Sequence, residues 1–427
     1  MSYYKGNVSG QTPGLLPGPP PNPSVTNAGY FWWEAGGMFG SLIDYWYYTG
    51  DSTYNDVVLQ GLQFQVGENN DYLPQNQTNG MGNDDQGFWG MSAMTAAELN
   101  FTNPPTGKPS WLSLAQAVHN TQQQKLDNVC GGGMRWQAYQ FLNGYNYKNS
   151  IANGCYFNIA ARLARFTGNA SYATSAEQTW DWMTSIGLIS DDYMVYDGTD
   201  SLTNCTIINK AQYSYNAGIF LFGAATMYNY TNGDATWETR VNGLLDAAIS
   251  IFFPDGIGNE RACEAVLSKC TIDMLSLKSY LMRWMAATTK LAPFTYDRVM
   301  AVLKTSAAAA ALQCSGSPAE RPNGRMCGLS WSKNSTWDGT AGVGQQMCAL
   351  EVIQSNLIQQ ASAPLTSNTG GTSTSDPGAG TGSGSTSDPT VAKPATGKDR
   401  VGAGFLTAFV TIAVIGGLAW VSIPDGK

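Results

Sequence analysis

Charge is scarce in this chain: Asp, Glu, Lys and Arg make up 13% of its 427 residues, about half the share usual for a soluble domain. The formal net charge is −8, which excludes nucleic acid as a partner and leaves neutral ligands open. There is a single histidine, His119. No Ser-His-Asp triad can form without it, and no Cys/His zinc site can be completed. None of the eight cysteines lies in a C-x-x-C pair, so neither a metal nor a redox cofactor is expected. Gly131-Gly132-Gly133 lacks the Lys-Ser/Thr of a phosphate loop and reads as a tight turn. Strand-like alternation is rare. The opening residues, Met1-Ser2-Tyr3-Tyr4-Lys5, have no apolar leader core.

Aromatic residues are abundant instead, with 13 Trp and 21 Tyr. Together with many neutral polar residues they suit a sugar-binding surface. An even cysteine count without metal spacing reads as disulfides and an oxidising compartment. Cys263 to Cys270 and Cys314 to Cys327 are plausible short closures, with the full connectivity left open. Seven N-x-S/T sequons, at Asn7, Asn76, Asn100, Asn169, Asn204, Asn229 and Asn334, agree with secretion. From Thr366 to about Pro394 the chain turns to Ser, Thr, Gly, Pro and Asp, expected as a flexible stalk. Val401 to Ile423 is then apolar and uncharged. Small residues, polar spacer and apolar tail form a GPI-attachment pattern, with attachment expected between Gly378 and Ser387. A transmembrane anchor is the competing reading. The expected layout is a domain over 1–360, a disordered stalk and spacer over 361–400, and a tail over 401–423. The protein is expected as a monomer at the outer face of the plasma membrane or in the cell wall.

A short pattern recurs through the domain. Thr49-Gly50-Asp51-Ser52-Thr53-Tyr54 is followed by versions ending at Trp111, Tyr172, Trp237 and Tyr296, in steps of 57 to 65 residues. In each, a helix-stopping glycine precedes a capping Asp, Asn or Ser; the last copy is degenerate. The intervening segments, Trp33–Tyr48, Ile151–Phe166, Tyr215–Tyr228, Met274–Ala287 and Val343–Leu357, have helical periodicity. A period near 60 accommodates a helical hairpin. Six such hairpins closing on themselves give an all-α (α/α)6 toroid, the architecture predicted. A solenoid with the shorter tetratricopeptide period fits poorly.

The segment Asn83-Asp84-Asp85-Gln86-Gly87-Phe88-Trp89 delivers two carboxylates to a helix start, predicted as Gln86–Leu99. Glycoside cleavage needs one carboxyl group to protonate the leaving oxygen and another to attack or to activate water. The helix N-terminus favours one ionised group, while apolar neighbours keep the other protonated. The same three residues would also make a good helix cap. His119, Asp191-Asp192 and Asp273 read as surface or capping residues.

Beyond that segment come Tyr3-Tyr4-Lys5-Gly6-Asn7, Trp32-Trp33-Glu34-Ala35-Gly36, Gly132-Gly133-Met134-Arg135-Trp136-Gln137, Tyr147-Lys148-Asn149-Ser150, Ala161-Arg162-Leu163-Ala164-Arg165, Asp197-Gly198, Ser214-Tyr215-Asn216-Ala217-Gly218 and Gly344-Gln345-Gln346-Met347. In these stretches the chain resembles the fungal cell-wall proteins of glycoside hydrolase family 76, over roughly residues 1 to 360. The resemblance implies an (α/α)6 barrel and retaining action on α-1,6-linked mannose, with Asp84 as nucleophile and Asp85 as acid/base. It implies α-mannan or GPI-anchor glycan as substrate and a β-glucan acceptor, in a reaction joining mannoproteins to wall glucan. A non-catalytic mannan- or GPI-glycan-binding wall protein is the alternative. Asp197 is the next candidate for sugar contact, followed by Asn83, Trp89, Arg135, Trp136, Asn149, Tyr215 and Asn216. Family members carry a leader and more of a first helix before Tyr-Tyr-Lys-Gly-Asn, and a shorter segment where this chain has residues 17–29. Both departures are expected to be gene-model artefacts.

Overall fold

The computed structural model describes residues 1, 3–18, 29–318, 324–333 and 336–381, with 407 and 411. The predicted insertion at 17–29 lies mostly outside them, as do Asn334, the spacer and nearly all of the tail. One compact unit spans Met1–Ser385 and a second Thr386–Lys427. In the second, Thr411 Oγ1 donates to Thr407 O (2.7 Å). Among the described residues no helix is long and apolar enough to cross a membrane.

Eleven α-helices appear among the described residues: α1 (Trp32–Thr49), α2 (Asn55–Phe64), α3 (Asn83–Glu98), α4 (Trp111–Gln123), α5 (Ser150–Thr167), α6 (Ala170–Ser185), α7 (Ser214–Tyr230), α8 (Ala235–Phe252), α9 (Leu277–Leu291), α10 (Tyr296–Leu312) and α11 (Val343–Gln354). The odd-numbered helices pack in succession, α1 on α3 through to α9 on α11, and α11 returns to α1. The ring is closed. Even-numbered helices lie outside it, each against the preceding or following odd one. Residues 3–18 form turns, with the Tyr4 ring set edge-on against Phe39 of α1, centroids 5.6 Å apart.

The repeat marks the join between an inner and an outer helix. Gly50 and Gly168 take the left-handed conformation (φ 74° and 72°) that stops α1 and α5, a geometry cheap only for glycine. Ser110, Asn169 and Asp234 then cap α4, α6 and α8 with their side chains. The closing aromatics Trp111, Tyr172 and Trp237 are buried. Helix α3 begins three residues before its predicted start, so both aspartates lie within its first turn. Helix α9 begins three residues after its predicted start, because a separate 3-10 turn occupies Asp273–Leu275.

Three disulfides form. Cys263–Cys270 and Cys314–Cys327 are the two anticipated, and Cys130–Cys205 ties the loop after α4 to the region between α6 and α7. Not all eight cysteines pair, however: Cys155 and Cys348 are free and buried. A three-stranded antiparallel sheet, β1 (Tyr147–Asn149), β2 (Gly198–Asp200) and β3 (Ile208–Asn209), joins the loops ahead of α5 and α7.

The first part of the expected disordered stalk is ordered. Residues 364–381 lie along α3, α4 and α5 as a strap. Leu365 N–H donates to Glu98 O (2.8 Å) and Ser367 N–H to Phe166 O (3.0 Å). Ser373 Oγ accepts from Leu112 N–H (2.8 Å), supplying an acceptor to the first turn of α4. Composition foresaw no core here, and there is little. Paired hydrogen bonds hold the strap instead.

Two buried arginines clamp the ring where the inner helices end. Arg162 of α5 donates to Glu98 of α3 from Nε (3.0 Å) and Nη2 (2.6 Å). Arg283 of α9 donates to Asp44 of α1 (2.6 Å) and to Gly40 O (3.0 Å). The pocket beside them measures about 40 Å³, room for a water molecule and not for a sugar ring. Removing one partner strands a buried charge, which costs about 3–5 kcal/mol, whereas replacing both is often nearly neutral. Arg162→Leu should therefore lower unfolding free energy by about that amount in urea denaturation. Adding Glu98→Leu should recover most of the loss. A double variant no more stable than the single one would refute the clamp.

Candidate active site

At the opposite end of the ring, where the inner helices begin, Gly82 precedes α3 and Asn83, Asp84 and Asp85 fill its first turn. Asp85 Oδ2 accepts from Gly82 N–H (2.5 Å), and Asp84 Oδ1 accepts from Asp85 N–H (3.0 Å). The pair thus satisfies donors that a helix start leaves unpaired. Capping and catalysis are not alternatives here, since one carboxyl oxygen of each residue is used for the cap. A Cβ on Gly82 would lie 2.0 Å from Asp84 Oδ1 and 2.6 Å from Asp85 Oδ2. Only glycine fits. It also follows that those two oxygens stand no more than about 4.6 Å apart, close to the spacing of retaining glycosidases and short of the 6.5–9.5 Å of inverting ones.

Both residues are only partly buried, yet crowding by protein holds each carboxyl group well above the usual carboxylate range. For Asp84, burial is countered by backbone N–H groups and by a hydrogen bond from the Trp136 side chain. For Asp85, burial is reinforced by the charge of Asp84 and then by that of Asp273. Backbone N–H groups and Trp136 favour the charge on Asp84, and a charge on Asp84 favours the proton on Asp85.

Asp273 therefore belongs to the site, contrary to its reading as a surface or capping residue. It accepts from Trp33 Nε1 (3.2 Å), and burial raises its pKa to about 6. Buried Glu34, next along from Trp33, feels both Asp273 and Asp85. The motif Trp32-Trp33-Glu34 was the available signal, but nothing in the sequence paired it with residue 273. Tyr215 lies close enough to Asp197, Asp84 and Asp273 for all three to raise its pKa, after burial. Asp197 accepts from Tyr147 Oη (2.6 Å) and Asn209 Nδ2 (3.0 Å), partners the sequence did not suggest. Glu260, buried and raised to about 7 mainly by burial, accepts from Ser214 N–H (3.3 Å) at the start of α7.

The other candidates have structural positions. Trp89 is fully buried, stacked on Trp32 with centroids 4.9 Å apart and packed against Phe39 and Tyr72; its indole is core. Asn83 is buried and donates to Arg135 O (2.9 Å) while accepting from Lys125 Nζ (3.2 Å), so it fastens the loop that carries Trp136. Arg135 pairs with Asp127 (2.6 Å) and stacks over Tyr145. Asn149 caps α5 through Ala152 N–H (3.2 Å). Asn216 is fully buried, and its carboxamide has no partner among the described residues. His119 is not at the surface. It is buried against Tyr156 and Tyr172, and burial lowers its pKa to about 4. Asp191 and Asp192 are exposed as expected. No cluster of metal-binding side chains is found among the described residues.

The electrostatics fix the sign of two pH effects. Trp136→Phe removes a donor that favours ionised Asp84, so the acid limb of the kcat/KM profile on an α-1,6-mannan oligosaccharide should move to higher pH, by about one unit for one hydrogen bond to a charged group. Asp273→Asn removes a charge that disfavours ionised Asp85, so the alkaline limb should move to lower pH. Limbs unmoved in both variants would contradict this assignment.

Residues 1–368 match glycosyl hydrolase family 76. The chain is 44% identical to the mannan endo-1,6-alpha-mannosidase DCW1 of Saccharomyces cerevisiae over 425 residues, 98% of this chain and 90% of that protein. It is 43% identical to the mannan endo-1,6-alpha-mannosidase DFG5 of the same yeast, covering 98% and 89%. The crystal structure of Dfg5 from Chaetomium thermophilum in complex with glucosamine superposes with a TM-score of 0.85 at 50% identity, covering 90% of this chain and 93% of that one. An alpha-1,6-mannanase of Salegentibacter sp., at 16% identity and a TM-score of 0.63, shares the fold over 81% and 94% of the two chains. The chain is a glycoside hydrolase and belongs to family 76.

Proposed function

We propose that the domain is a retaining glycosidase or transglycosidase of α-1,6-linked mannose, built as an (α/α)6 toroid. The observation that carries this reading is the close approach of the Asp84 and Asp85 carboxyl groups, both pushed above the usual range but unequally crowded by charge. Asp84 attacks the anomeric carbon as Asp85 gives its proton to the departing glycosidic oxygen. The bond to the leaving sugar breaks and a glycosyl ester on Asp84 forms. Asp85, now a carboxylate, takes the proton of an incoming hydroxyl, whose oxygen displaces Asp84. Two displacements leave the anomeric configuration as it began.

Asp273, Trp136 and Tyr215 border the pair, Asp197 lies beside Tyr215, and these four supply the sugar contacts in this reading. The names of the similar yeast proteins support α-1,6-mannan as the substrate class. The glucosamine bound to the Chaetomium protein is consistent with a GPI-anchor glycan as donor. Transfer to β-glucan would join mannoproteins to the wall. Sequons and the C-terminal pattern support GPI anchoring at the cell surface, and we propose that the protein is a monomer there.

With α-1,6-mannan oligosaccharides, Asp84→Asn should abolish turnover and Asp85→Asn should cut kcat/KM about 10²–10⁴-fold. Product analysis with and without a β-glucan oligosaccharide separates hydrolysis from transfer. Absence of cleavage and transfer by the parent protein, with Asp84→Asn binding glycan equally well, would leave only the non-catalytic binder.

A further inference from the structure

Asn100 begins a sequon, Asn100-Phe101-Thr102, and is also the point at which the strap is gripped most closely. It follows α3 in the left-handed conformation (φ 49°), tolerable for Asn. Its Nδ2 donates to Gly370 O (2.8 Å), while its Oδ1 accepts from both Thr372 N–H (2.9 Å) and Thr372 Oγ1 (3.1 Å). Next to it, Asn103 Nδ2 donates to Thr372 Oγ1 (3.1 Å). A carboxamide that grips backbone two residues apart does so along one edge, with its oxygen and the N–H on the same side as that oxygen. N-glycosylation turns this group into a secondary amide. In the ordinary trans form, the substituent replaces the hydrogen on the oxygen's side, and the one remaining N–H points the other way. The sugar would then sit where Gly370 O lies.

We infer that a glycan on Asn100 and the docked strap exclude each other, so this one sequon decides where the chain leaves the domain. The described sequon residues Asn7, Asn76, Asn169, Asn204 and Asn229 are exposed, while Asn100 is partly buried; among the described hydrogen bonds, Asn100 alone of these six has its carboxamide nitrogen committed to the strap. With Asn100 bare, the strap remains bound through Thr381. With Asn100 glycosylated, the contacts from Gly370 onward lose their anchor. Beyond it the strap holds by polar contacts, including Ser110 Oγ to Thr374 O (2.5 Å), Asp376 N–H to Gln116 Oε1 (2.7 Å) and Asn120 Nδ2 to Pro377 O (2.9 Å). A freed strap adds on the order of 40 Å to the reach of whatever follows it, at about 3.3 Å per extended residue.

The test uses the full chain, expressed through a eukaryotic secretory pathway. Glycopeptide mass spectrometry gives occupancy at Asn100, and hydrogen exchange at the Asp376 amide reports docking remote from the sequon. Thr102→Ala, which removes the sequon and keeps the clamp, should leave that amide protected. Asn100→Ala, which removes both, should speed its exchange at least tenfold. The parent protein should show an unprotected fraction equal to its glycosylated fraction. Protection equal to that of Thr102→Ala in a parent protein glycosylated at Asn100 would overturn the inference. If the parent leaves Asn100 bare, Thr372→Pro, which cannot make the contact, should gain the glycan there; a site still bare in that variant would overturn it as well.

Discussion

Two carboxyl groups on consecutive residues must share the first turn of a buried helix, and much of the surrounding structure follows from that requirement. Side by side they repel, and burial penalises each charge. The start of α3 offsets part of the cost with backbone N–H groups, and its dipole favours negative charge there. That arrangement needs the chain to pass close beneath both groups, which only Gly82 allows. It also needs the loop carrying Trp136 to be fixed. Asn83 fastens it at Arg135 O, and Asn83 N–H donates to Trp136 O (2.8 Å). Buried Lys148, at β1, draws in Asp127 together with the carbonyls of Val129, Gly132 and Gly133. The three glycines thus form the expected turn, and two of them, Gly132 and Gly133, take part in a buried ammonium site. The Cys130–Cys205 disulfide closes the same loop against the strands before α7.

The two ends of the ring divide stability from chemistry. Where the inner helices end, Glu98 and Asp44 meet arginines at 2.6 Å, while Glu351, which shares Arg283 with Asp44, is lifted to about 8 by burial. Where they begin, Asp84, Asp85, Asp273 and Glu34 gather without a basic partner among their described contacts, and burial lifts all four. An uncompensated acidic cluster is costly in a fold stabilised by only several kcal/mol. Sites with such shifts are where catalytic roles are commonly found.

The sequence made the periodic part of this molecule legible. Glycine stops, polar caps and a period near 60 located the inner and outer helices, because those signals act locally. The Asn83-Asp84-Asp85 segment stood out for the same reason. Asp273 did not, since its significance depends on Trp33, 240 residues away, and on ring closure. Trp89 and Asn149 are candidate sugar contacts through the stretches that carry the family resemblance, and motif matching does not separate a contact from a core indole or a helix cap, the positions they hold here. His119 was misplaced because a Gln-rich stretch looked exposed. The strap defeated composition for another reason. A segment with few apolar residues can still be ordered when partners such as Asn100, Gln116 and Asn120 are spaced to match its backbone.

In the proposed mechanism, the roles of the two aspartates follow from the pair itself. While Asp84 is ionised, its charge is the chief electrostatic influence holding the proton on Asp85. Asp85 is therefore ready to act as an acid at the moment Asp84 is ready to attack. Once Asp84 is esterified to the sugar its charge is gone, and the leading electrostatic reason for Asp85 to stay protonated goes with it. Asp85 has by then given up its proton to the leaving group, and its pKa falls as a base for the second step requires. Departure of the sugar restores the charge on Asp84 and raises Asp85 again. A hydrolase and a transferase would share this cycle unchanged, because it depends only on the two aspartates. Under the proposed function, Asp197, Tyr215 and Asp273 select whether water or a sugar hydroxyl completes it, by what they hold in place when the ester forms.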